Sequence, residues 1–88
     1  MDKVAVLSLV NDLKRITQSI QRGANNNAQR FNQEAQKWLI QAQKSKGGSI
    51  HKLLTKIAKT LEEENNLIKA EECLMYSVLL QNRATFHK

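Results

Sequence analysis

The chain has 88 residues, a formal charge of +6, a mean hydropathy of −0.52, no proline and one cysteine. A length this short makes two independent cores implausible, so residues 1–88 are read as a single domain with modest stability. The lone Cys73 excludes an internal disulfide framework and suits a reducing, intracellular and cytoplasmic setting.

The first apolar run, Val4-Ala5-Val6-Leu7-Ser8-Leu9-Val10, is too short to span a bilayer, and no small-residue cleavage site follows it. It reads as the opening of a buried helix over about Asp2–Arg22. Val6, Leu9, Val10, Leu13, Ile16 and Ile20 recur at steps of three and four along one stripe. Asp2 suits the N-cap, and Gly23 suits a left-handed C-terminal stop. Asn25-Asn26-Asn27 follows and reads as a turn that carries the next N-cap.

A second helix is predicted from about Asn27 to Lys44, with Ala28, Phe31, Ala35, Trp38 and Ala42 on its buried stripe and Leu39 beside them. Gly47-Gly48 breaks it. Ser49 then reads as the N-cap of a third helix, whose buried face holds Ile50, Leu53, Leu54, Ile57 and Leu61.

The segment Glu62-Glu63-Glu64-Asn65-Asn66 admits two readings. A polar turn there, with Asn65 or Asn66 as N-cap, starts a fourth helix from Leu67 to about Arg83. Alternatively, residues 49–83 run on as one long helix, since neither glutamate nor asparagine forbids it. The first reading gives an all-α, antiparallel four-helix up-and-down bundle. The second gives a three-helix arrangement whose long C-terminal helix exposes Leu67, Leu74, Met75, Val78 and Leu79, which demands a partner.

Catalytic constellations are missing from the sequence. His51 and His87 stand far apart, and no His-x-x-x-His, Glu-x-x-His or Cys-x-x-Cys spacing occurs, so neither a metal nor another cofactor is expected. Lys46-Gly47-Gly48-Ser49 lacks the spacing of a phosphate loop and reads as an interhelical turn. Cys73 sits among apolar residues, where a thiol is inert. The expectation is a non-enzymatic protein without a small-molecule substrate.

Two surfaces remain as candidates for binding. The apolar one comprises Leu7, Ile40, Tyr76 and Leu80, which fall outside the predicted buried stripes of their helices and mark an interface with another protein or with a second copy. The last helix is apolar nearly all round, and Glu71 interrupts its stripe among Leu67, Ile68, Leu74 and Met75. An unpaired buried carboxylate is costly, so Glu71 either sits at the stripe's edge or serves a partner as a register-setting charge.

The basic surface comprises Arg30, Lys37 and Lys44 at seven-residue spacing, together with Lys46, Lys52, Lys56 and Lys59. Residues 1–60 carry eleven Lys/Arg against three acids, whereas residues 61–88 carry three against five. Such a face suits phosphates of nucleic acid, but four aromatics in the whole chain leave little for base stacking. The favoured function is therefore a self-associating protein–protein interaction module such as an adaptor, a small chaperone-like subunit or an inhibitor. A nucleic-acid-binding accessory protein is the alternative.

Overall fold

In the computed structural model the chain forms four α-helices: α1 (Lys3–Gln21), α2 (Asn25–Gln43), α3 (Gly48–Leu61) and α4 (Leu67–Phe86). The structure describes residues 2–44 and 48–86, apart from the side chains of residues 48, 49 and 86. Lys46, Gly47 and His87 lie outside the described residues.

Helix α1 starts where the Asp2 carboxylate accepts a hydrogen bond from the Ala5 amide at 3.1 Å. It satisfies one of the free N–H groups of the first turn. The helix ends in a Schellman turn: Gly23 takes φ +74°, its amide donates to the Ile20 carbonyl, and the Ala24 amide donates to the Ser19 carbonyl at 2.8 Å. Only glycine enters that conformation cheaply.

This turn leads straight into α2, so the three asparagines occupy its first turn rather than a loop. The N-cap is Ala24, which has no capping side chain, and the Ala24 carbonyl accepts from the Ala28 amide. The Schellman bonds already fix the backbone, leaving no turn for the asparagines to make. At the far end of α2, the next helix includes Gly48 and Ser49, so Ser49 lies inside α3 and is not its N-cap.

Between α3 and α4 the chain breaks at residues 62–66. Asn66 caps α4 by accepting from the Lys69 amide at 3.0 Å. The uninterrupted helix does not form, and its physical obstacle is Lys69. This side chain is 2% exposed, and its ammonium donates to the Leu61 carbonyl (3.3 Å), the Glu63 carbonyl (3.0 Å) and Asn65 Oδ1 (3.0 Å). It thereby takes over carbonyls that the end of α3 leaves free.

The helices pack as a square. Helix α1 packs extensively on α2 and α4, α3 touches α2 and α4 more lightly, and among the described residues the diagonal pairs do not approach closely. Thr17 of α1 meets Ala70 near the start of α4, while Lys14 meets Gln81 near its end, so the two helices run in opposite directions. The molecule measures 38 × 20 × 19 Å, as four helices of about 30 Å or less side by side require.

Helix α1 is the centre of the apolar core. Ala5, Val6, Leu9, Val10, Leu13 and Ile16 are at most 2% exposed, and each larger aliphatic contributes about 1.5–3 kcal/mol by leaving water. From α2 the core receives mainly small residues, Ala28, Ala35 and Ala42 with Leu39, and Phe31 and Trp38 pack half-buried at the margin. From α3 come Ile50, Leu53, Leu54, Ile57 and Leu61, as the periodicity predicts.

Candidate functional site

Helix α4 turns its smaller side chains inward and its larger ones outward. Its buried face carries Ala70, Cys73, Ser77, Leu80 and Ala84. Four of these five are small, so the helix backbone comes close enough for the Thr17 hydroxyl to donate to the Ala70 carbonyl at 2.8 Å. The outward face carries Leu67 and Ile68, each about two-thirds exposed, followed by Leu74, Met75, Val78 and Leu79, each close to half exposed. These six residues follow the helical repeat and form one stripe, about 18 Å long from Leu67 to Leu79.

This reverses the expected orientation of the helix. Leu80, expected to point outward, is fully buried, and Tyr76 packs half-buried against the core. Lys69 supplies the physical reason. Its ammonium must reach the end of α3, and that contact turns the neighbouring Ala70, Cys73 and Ser77 towards α1. Glu71 is exposed and lies along the middle of the outward stripe, with Asn82, three turns further on, on the same line.

The other two expected apolar positions stay open to solvent. Leu7 on α1 is 39% exposed, and Ile40 on α2 is 55% exposed. Ile40 edges a shallow groove with Gln36, Leu39, Ala58 and Glu62, between α2 and α3. Because α2 and α4 are diagonal in the bundle, Ile40 is not continuous with the α4 stripe.

The basic residues are distributed rather than gathered. Lys37 lines an open cleft of about 490 Å³ with Asp2, Val4, Glu34, Trp38 and Gln41, where two acids stand near it. The Arg30 guanidinium lies 5.8 Å from the centre of the Phe31 ring. Lys52 and Lys56 line a different groove, about 270 Å³, with Leu53, Tyr76, Leu79 and Arg83. Lys44 and Lys59 are exposed at the ends of α2 and α3.

Besides Lys69, three titratable groups have unusual environments. Asp12 of α1 is 1% exposed, and its Oδ2 has no hydrogen-bond partner. Burial, reinforced by the Glu34 carboxylate, pushes its pKa up to about 6, and Arg15 at 3.8 Å opposes that rise only weakly. The Arg15 guanidinium itself lies over the Phe31 ring at 5.5 Å. The Glu72 carboxyl is held above its usual range by a hydrogen bond with Glu63 and, secondarily, by burial. Burial also pushes the Cys73 thiol up to about 12, so the thiolate, which is the reactive form, is scarce.

Sequence reasoning missed Lys69 and Asp12, since a charged residue inside an apolar pattern is normally taken to face water. For Asp12 the available signal was positional, since its spacing from Leu9 and Ile16 sets it beside the buried stripe of α1; for Lys69 there was none, because the spacing in α4 did not single out its inner face.

Among the described residues, no group of three His, Cys, Asp or Glu side chains is arranged to hold a metal, and no helix is long and apolar enough to cross a membrane. No protein-family model matches the chain, and no curated protein or solved structure is significantly similar to it.

Proposed function

We propose that this chain is a non-enzymatic protein–protein interaction module, of the adaptor, small chaperone-subunit or inhibitor kind, which docks and self-associates through the outward face of α4. The observation that carries this reading is the inverted helix. Six large apolar side chains, interrupted only by Glu71 along the middle of their stripe, face solvent while alanine, serine and cysteine face the core. Contiguous apolar surface of this kind is rare on a monomer and marks a contact region. The half-exposed Leu7 and Ile40 are secondary contacts on other faces. A lone buried thiol fits work inside a reducing compartment.

Light scattering coupled to size exclusion tests the reading on the wild type, Leu74→Glu and Val78→Glu. The wild type is expected to run above the mass of one chain, and each glutamate is expected to return it to a monomer with unchanged helical circular dichroism. A wild type that stays monomeric at every concentration, and is indifferent to both substitutions, overturns self-association.

A second reading rests on the groove where Lys52 and Lys56 stand beside Tyr76 and Arg83. Such a basic groove suits the phosphates of nucleic acid in a sequence-independent manner. In that case affinity falls steeply with salt, and Lys52→Glu with Lys56→Glu weakens it. Absence of binding at low salt removes this reading.

A further inference from the structure

The α4 stripe has an internal symmetry that an arbitrary partner does not need. Two polar positions, Glu71 and Asn82, lie on the same outward line and flank its C-terminal half symmetrically, Glu71 three residues before Leu74 and Asn82 three residues after Leu79. We infer that the docking partner is a second copy of this chain, whose α4 lies antiparallel on the first so that each Glu71 carboxylate accepts a hydrogen bond from the Asn82 amide of the other copy. The inference rests on the self-association proposed above and specifies its direction and register.

In this register Leu74 opposes Leu79 of the second copy, and Met75 opposes Val78, so four apolar layers form the middle of the contact. Leu67 and Ile68 reach the last turn of the other α4, around Thr85. Both polar layers fall where a helix pair would otherwise carry an unpaired charge, and each is satisfied by the other chain. A charge-assisted bond of this kind is stronger than a neutral one, and a single polar position in an apolar helix seam is a recognised way of fixing register.

Charge complementarity points to the same direction of pairing. The start of α4 is acidic, with Glu62, Glu63 and Glu64 just before it and Glu71 and Glu72 within it, whereas its last turn carries Arg83. Antiparallel pairing sets each acidic end towards the basic end of the other copy. Parallel pairing in register sets Glu71 against Glu71 and the two acidic corners against each other. The antiparallel contact is isologous, so it closes at two chains.

The test is a charge exchange read by sedimentation equilibrium. Glu71 and Asn82 are both exposed, so their replacement leaves the bundle intact, and an unchanged circular dichroism spectrum checks this. Asn82→Glu places two carboxylates together in each polar layer and is expected to weaken the dimer at least tenfold. Adding Glu71→Lys to that variant creates Lys–Glu pairs across the interface and is expected to restore the wild-type constant or better.

A wild-type dimer in which the double variant binds no tighter than Asn82→Glu alone overturns the register while leaving the docking face standing. A wild type that forms no dimer at all overturns self-association itself.

Discussion

Asp12 places a carboxyl group in the seam between α1 and α2, with one oxygen unpartnered and Glu34 adding to the cost of ionisation. Its pKa in the fold, about 6, lies above the ordinary aspartate value of 3.8. Between those two values the native state holds a proton that the unfolded chain has released. Stability contributed by Asp12 is therefore complete below about pH 4, falls as pH rises through 6, and above that is lower by about 3 kcal/mol. The urea midpoint of the wild type should drop over this window. Asp12→Asn should flatten that drop and raise stability at pH 7. Parallel pH curves for the two proteins would show that Asp12 is not the source. The isosteric amide cannot ionise, so the difference between the curves isolates this one group from Glu72, whose raised pKa acts in the same direction.

Among the elements, α4 depends most on a contact outside its own sequence pattern. Lys69 joins its first turn to the end of α3 through three hydrogen bonds, and burial lowers the pKa of its ammonium. Lys69→Met keeps most of the side-chain volume and removes the donors, stranding the Leu61 and Glu63 carbonyls at the corner. Bonds from a charged donor contribute roughly 1.5–3 kcal/mol, partly offset here because the charge no longer has to be buried. A net loss of about 1–3 kcal/mol is expected, with faster amide exchange confined to residues 62–70. Uniform exchange across all four helices would argue against a local joint.

The limits of α1 and the start of α4 were legible because single residues decide them: Asp2 and Asn66 cap, and Gly23 alone takes the left-handed turn. The rotation of α4 was not legible. Both of its faces are apolar, so hydrophobic periodicity alone gives no preference. The choice falls to side-chain size and to one cation. Ala70, Cys73, Ser77 and Ala84 repeat at three-, four- and seven-residue steps, which is a close-packing stripe, and Lys69 beside them finds its acceptors at the end of α3 and in the turn that follows it. By size alone the large apolar residues are the expected inner face, which leaves Leu80 outward. The outward stripe nevertheless preserves the demand for a partner that the long-helix alternative carried, although the helix is broken.

At the scale of the whole molecule, the square arrangement sets the apolar stripe of α4 apart from the basic row of α2, while Lys52 and Lys56 of α3 share a groove with Leu79 at its edge. Helix α4, carrying the apolar stripe and the acidic end of the chain, is diagonal to α2, which carries Arg30, Lys37 and Lys44. Two copies joined through α4 therefore hold their α2 rows on opposite outer sides. There, separation beyond a Debye length of about 8–10 Å screens the repulsion between the two rows. A protein of 88 residues leaves little margin in its own core, so burying the stripe should register as thermal stability. Because dimer formation is coupled to the native state, the melting temperature should climb with protein concentration. The climb is up to about 3–5 °C per tenfold increase while the dimer remains saturated. Val78→Glu should melt at a temperature independent of concentration and close to that of the dilute wild type, since Val78 is outside the core of each bundle. Leu80→Glu, by contrast, puts a carboxylate at a fully buried position and should unfold the monomer itself. Concentration-independent melting of the wild type, across a range where scattering reports dimers, would mean that the association is not coupled to folding.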